Sequence, residues 1–181
     1  YFKPVLYSGL NSTAQNVTVG FQPDWVWIKT RNAAISNMLY DSNRGETKFL
    51  QADAVGAEGT GADSLTDFTP SDGTIGFSLG ADSSTTAVNN NGKTYVSWNW
   101  KANGGTATAT ISESGDNPAA SVQANPTAGF SLITYTGTGD AGTIAHGLGA
   151  VPTMMIIKNR DVADAWAVYH GANTAAPGTD Y

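Results

Sequence analysis

A chain of 181 residues carries nine Lys and Arg against fifteen Asp and Glu, a net charge of −6, and no cysteine. Nine scattered basic residues without a cluster argue against phosphate-led nucleic-acid binding and against adhesion to an anionic membrane, and the missing thiols exclude disulfides and thiolate metal sites. Charged residues make up only 13%, against about 25% in an average soluble domain, and small polar residues take their place, a mixture that suits secreted or virion-surface β proteins better than a cytoplasmic metabolic enzyme.

The pattern along the chain is almost wholly that of strands. Residues 24–31 (DWVWIKTR) are apolar at both parities, which predicts a central strand covered on both faces, entered from Pro23 where a missing N–H is tolerated. Residues 37–41 predict the next strand, and 44–69 reads as a long surface excursion with at most a helical turn at 47–52. Asp72-Gly73 marks a turn before GFSLG (76–80), and Asn91-Gly92 a hairpin turn before TYVSWNWKA (94–102). Alternation there puts Val96, Trp98 and Trp100 on one face and Ser97, Asn99 and Lys101 on the other, the polar set expected to meet water. Residues 103–127, rich in Gly, Ala, Thr and Pro, read as a linker with a short strand near 106–112. No run of about twenty apolar residues suggests a membrane span.

One segment occurs twice. FKPVLYSG (2–9) is matched by FSLITYTG (130–137), and VGFQPDWVWIKTR (19–31) by LGAVPTMMIIKNR (148–160). Gly20/Gly149, Pro23/Pro152, Ile28/Ile157, Lys29/Lys158 and Arg31/Arg160 are identical in that alignment, and Tyr40 falls on Tyr169. Such a period suits a duplicated domain rather than a solenoid. The first copy runs on far past Tyr40 while the sequence stops soon after Tyr169, so the second unit is expected to be incomplete, part of a longer protein or borrowing strands from a neighbour. The fold class is therefore all-β: two tandem related antiparallel β-sandwich (jelly-roll-like) units, 1–102 and 128–181, joined by the linker 103–127.

Motifs that resemble chemistry fail on context. GFSLG matches the nucleophile elbow around Ser78, but no helical period follows it. GTGDAG (137–142) matches a dinucleotide fingerprint, but TIAHGLGAVP cannot open the helix that pyrophosphate binding needs. His146 and His170 lack a partner set of metal-ligand spacing, and Asp63, Asp67, Asp72 and Asp82 do not form a calcium loop. Asn11-Ser12-Thr13 and Asn16-Val17-Thr18 are glycosylation sequons only in a eukaryotic secretory setting. No catalytic, cofactor-binding or metal residue is assigned, and no cofactor is expected.

Two sets of side chains remain as candidates. Lys29, Arg31, Lys158 and Arg160 end the duplicated strand as basic pairs, expected to cap a sheet rim and to pair with Asp24, Asp41 or Asp161. Trp25 and Trp27 read as core, whereas Trp98 and Trp100 are the candidates for a platform on which a sugar ring stacks.

The strings GFQPDWVWIKTR, LYDSNRG, DGTIGFSLG, NNNGKTYVSWNWKA and GFSLITYTGTGDAGTIAHGLGAVPTMMIIKNR together resemble a domain family of tailed bacteriophages, particularly marine ones, found in virion structural and tail-fibre-like proteins. The resemblance covers nearly the whole chain and implies a non-enzymatic β module on the virion: a tail fibre, spike or head decoration. Its expected partners are other copies of itself in a homo-oligomer, other virion proteins and a host surface glycan, with neither nucleic acid nor membrane insertion. A glycan-binding module is the alternative function. A polysaccharide depolymerase would need two carboxylates facing across a cleft, which no spacing here suggests.

Overall fold

The computed structural model describes residues 1–10, 13–82 and 86–172. Among these residues fourteen strands follow one another, beginning with β1 (Phe2–Ser8), β2 (Gln15–Thr18), β3 (Trp25–Thr30), β4 (Met38–Asp41), β5 (Lys48–Gln51), β6 (Gly59–Thr60), β7 (Leu65–Asp67) and β8 (Gly76–Leu79). After them come β9 (Thr94–Trp100), β10 (Ala109–Ile111), β11 (Ala120–Asn125), β12 (Phe130–Tyr135), β13 (Met154–Ile157) and β14 (Ala167–His170). No helix forms among the described residues, and every strand pair is antiparallel.

The first unit is a sandwich. One sheet runs β1-β9-β3-β4-β5-β6 and the other β2-β8-β7. Val26 and Ile28 of β3, Met38 and Tyr40 of β4, and Tyr95 of β9 meet Val17, Leu65, Phe77 and Leu79 of the smaller sheet in a single core. Each such side chain contributes about 1.5–3 kcal/mol when fully buried, so this core can sustain the unit by itself. Beyond it no comparable interior forms among the described residues. The buried apolar residues there are Ala120, Val122 and Ala124, all in the stretch read as a linker, which therefore belongs with the second unit; Ile111, Ile133, Ile144 and Leu148 half-cover them.

Central placement of residues 24–31 is borne out by β3, which lies between β9 and β4. β9 keeps its predicted alternation, but inside and outside are exchanged. Ser97 and Asn99 are fully buried, while Val96, Trp98 and Trp100 lie half-exposed on the outer face. Hydrogen bonds accompany the burial: Asn99 Nδ2 donates to Lys3 O (2.9 Å) and to Ser97 Oγ (3.0 Å), while Asn99 Oδ1 has no partner among the described residues. The indoles instead pair with rings across the outer face.

Residues 44–69 are less irregular than composition suggests. They hold β5, β6 and β7, and no helical turn forms at 47–52. The stretch 103–127 carries β10 and β11, and β11 forms the middle of the sheet β10-β11-β12. Its Gln123 is buried, and Asn43 Nδ2 donates to Ser121 O (3.0 Å), so this strand lies against the β4 end of the first unit.

Duplication extends to register. β3 and β4 pair Trp25 with Asp41, Val26 with Tyr40, Trp27 with Leu39 and Ile28 with Met38. At the repeat offset, β13 and β14 pair Met154 with His170, Met155 with Tyr169, Ile156 with Val168 and Ile157 with Ala167. The hydrogen bond from Ser42 N to Asp24 O (2.9 Å) recurs as Gly171 N to Thr153 O (2.8 Å). Gly20 and Gly149 share a positive φ, 96° and 73°, at the turn before each hairpin. The surroundings differ: β3 alternates buried and half-buried residues, whereas all four residues of β13 are exposed. The repeat carries over to 153–160 the expectation of a strand covered on both faces, and this fails because no described sheet packs over β13 and β14 is its sole partner among the described strands.

Candidate functional site

The two lysines keep one role in both copies, whereas the two arginines do not. Lys29 Nζ donates to Ile35 O, and Lys158 Nζ to Asn159 O (2.6 Å) and Val162 O (3.4 Å), so each lysine caps the loop that leaves its own strand. Arg31 is exposed, and its guanidinium bonds to no described residue. Arg160 crosses between the units: Nε is 2.8 Å from Glu58 Oε2 and Nη2 is 3.0 Å from Oε1. Glu58 also accepts from Arg44 Nη1 (3.2 Å), whose guanidinium is buried and binds Asp41 as well. Burial pushes the Glu58 carboxyl up, but the Arg160 and Arg44 guanidiniums outweigh it and hold it below the usual glutamate range.

Three further bonds run along this seam. Glu58 N donates to Arg160 O (2.8 Å), and Asp164 N to Val55 O (2.9 Å). Trp166 Nε1 donates to Ala54 O (2.9 Å). The loop between β13 and β14 is thereby clamped on residues 54–58 of the first unit. None of the three carboxylates expected to pair with the basic residues does so. Asp24 is fully buried and accepts from the backbone N–H of Ala102 (2.7 Å), Gly104 (2.9 Å) and Gly105 (2.6 Å) and from Ser42 Oγ (2.7 Å). Asp41 is occupied by Arg44 and by the N–H of Asn43. Asp161 forms no salt bridge among the described residues, although, after the Glu58 hydrogen bond, its charge, like that of Asp41, helps to raise the Arg160 guanidinium. Glu58 gave no sequence signal, but Trp166 did: it replaces Asn37 of the first copy, a departure from the repeat at a contact only the second copy makes.

Trp98 and Trp100 share one face with Trp25 and Trp27, as register dictates: Trp25 lies opposite Trp100 and Trp27 opposite Trp98. Phe2 approaches Trp100 at 4.6 Å, and Phe130 of β12 stacks on Trp25 at 5.5 Å and Trp100 at 6.2 Å. The surroundings of Trp100 are therefore filled by rings of the protein itself. Trp98 meets Trp27 edge-on at 5.8 Å, apart from the Phe2 and Phe130 rings. A shallow recess of about 390 Å³ lies nearby between Lys101–Gly104 and Ala124–Pro126, and neither indole lines it.

The second unit presents the most unusual surface. On β13 and β14, Met154 (51% exposed), Met155 (43%), Ile156 (38%), Ile157 (44%) and Val168 (54%) show apolar side chains on both faces of a two-stranded hairpin. A hairpin of that composition is at most marginally stable alone, and an unpaired apolar edge is a template for a further strand.

Ser78 lies within β8, and its Oγ donates to Asn16 Oδ1 (2.6 Å), which leaves no nucleophile elbow. Asn16 is further bound to Asp72 (2.7 Å), and Asn11 lies outside the described residues. His146 Nδ1 accepts from Leu148 N (3.2 Å), and His170 closes β14 opposite Met154. No group of three His, Asp or Glu side chains gathers among the described residues.

No curated protein and no solved structure matches the chain. Residues 1–180 match the family described as Domain of unknown function (DUF7483), and the chain belongs to that family.

Proposed function

We propose that this chain is a non-enzymatic structural module that assembles through β-strand association, in the setting its sequence resemblance implies: the particle of a tailed bacteriophage, as part of a tail fibre, spike or head decoration. The observation that carries this reading is the β13–β14 hairpin, apolar on both faces and, among the described strands, open along both edges. Exposed contiguous apolar surface of this kind marks contact sites, and strand edges are satisfied by other strands. The low charge supports it, because such a surface associates without broad electrostatic attraction.

Light scattering across protein concentration tests the proposal, with Ile156→Lys as the comparison. Association beyond the 18.8 kDa monomer that the substitution abolishes is the expected result. A folded chain that stays monomeric at every concentration would overturn it.

A further inference from the structure

The repeat specifies what the open hairpin lacks. In β3, the Ser42 N to Asp24 O bond directs residues 24, 26 and 28 toward β4, leaving Trp25 and Trp27 to pair with Trp100 and Trp98 of β9. In β13, the Gly171 N to Thr153 O bond directs residues 153, 155 and 157 toward β14. The backbone groups of Met154 and Ile156, at the repeat positions of Trp25 and Trp27, therefore face an edge that no described strand occupies.

β12 tells the same story independently. Its counterpart β1 gives its odd-numbered residues to β9: Lys101 N donates to Tyr1 O (2.8 Å) and Gly9 N to Lys93 O (3.0 Å). β12 pairs with β11 through the other parity, since Thr136, at the position of Ser8, donates to Ala119 O (3.3 Å). β11 thus occupies the side that β1 leaves open. The side that β1 gives to β9, carrying Ser131, Ile133 and Tyr135, is open in β12. Two strands that flank β9 in the first unit recur in the second, and both lack their β9-facing partner.

We propose that the second unit takes up a β9-like strand: an extended peptide segment from outside residues 1–172, running antiparallel to β13 and to β12. This deepens the assembly reading above by naming the partner. The residues of that strand at the positions of Trp98 and Trp100 lie beside Ile156 and Met154, so they are aliphatic or aromatic, with alternation as in TYVSWNW. The β9 of a second copy cannot serve. It is held by seven residue pairs to β1 and six to β3, and releasing it would open the first core.

The test adds a synthetic peptide of residues 91–102 (NGKTYVSWNWKA) to the intact chain and follows amide exchange. A second arm appends the same twelve residues through a Gly/Ser linker, so peptide insolubility cannot mask the answer. The expected result is exchange slowed about tenfold or more at Met154, Ile156, Ser131, Ile133 and Tyr135, with loss of any self-association. A scrambled peptide, or one with proline at the positions of Trp98 and Trp100, gives neither effect. Self-association that survives saturating peptide would leave the assembly reading standing and overturn this one, showing that copies pair β13 with β13. Absence of protection in both arms would overturn it as well.

Discussion

Arg160 meets Glu58 in a two-pronged ion pair, 2.8 and 3.0 Å, and among the described residues Glu58 is the one carboxylate that forms an ion pair across the two units. The partners are unequal. Arg160 is 40% exposed along its side chain, so its pair is screened and worth less than about 1 kcal/mol. Glu58 is 13% exposed and also faces the buried Arg44. Glu58→Ala is expected to destabilise the chain by about 1–3 kcal/mol, because Arg44 then lacks one acceptor. Urea unfolding of both variants measures this, and an Arg160→Ala loss equal to that of Glu58→Ala would contradict it.

The same carboxyl makes the seam sensitive to acid. Its pKa is lowered in the folded protein, so its contribution is present above the ordinary glutamate range and disappears as pH falls through the lowered value. The amide resonances of Glu58 and Asp164, which bond to Arg160 O and Val55 O, should shift together in that acid window. In Glu58→Gln the window vanishes. Unchanged titration of these amides in the variant would show that another group governs the seam.

Alkali acts on a different set of groups in the sandwich. Tyr7 donates to Val88 O (2.8 Å), Tyr95 to Ala87 O (2.7 Å) and Tyr40 to Thr86 Oγ1 (2.9 Å), so three phenols grip residues 86–88. Burial pushes all three phenols up, with the charge of Asp82 adding to it. Raised phenol values mean that stability is intact below about pH 10 and falls as pH rises beyond it. Ultraviolet titration should therefore find tyrosines, of the seven present, that ionise only as the chain unfolds. Seven phenols titrating together near pH 10 would refute this.

Asp24 offers a sharper test of architecture, since three backbone N–H groups and a hydroxyl converge on it at 2.6–2.9 Å where the chain leaves β9. Asp24→Ala strands those donors in a buried site, at roughly 1–3 kcal/mol for each one left unpaired. Asp24→Asn keeps the shape and one acceptor oxygen, so it should cost less. Thermal unfolding ranks the two, and equal midpoints would show that water replaces the carboxylate.

Strand identity was legible in the sequence where alternation, Pro23 and the Asn-Gly turn coincided, as in β3, β4 and β9, and the repeat was legible because Gly, Pro, Lys and Arg recur at one spacing. Facing was not. Ser97 and Asn99 read as solvent-exposed because alternation fixes which residues share a face but not which face is inside. Their partners, Lys3 O and each other, are remote or local backbone choices that composition does not encode. β5 to β7 were hidden by brevity, two to four residues each. The basic pairs were read as one device because both copies keep them. Arg160 and Arg31 nevertheless part company, since only the second copy has Glu58 within reach.

The aromatic face yields the last prediction. Phe130 begins β12 yet stacks on Trp25 and Trp100 of the first unit, at interplanar angles of 25° and 24°. Such ring pairs contribute about 0.5–1.5 kcal/mol beyond the area they bury. Phe130→Ala should uncover both indoles, red-shift tryptophan emission and lower stability by about 1–3 kcal/mol. Trp98→Ala should move emission far less in its wavelength, because Trp98 contacts Trp27 by its edge and lies outside the Phe130 stack. If Phe130→Ala left the emission maximum in place, the stack would not be what shields Trp100.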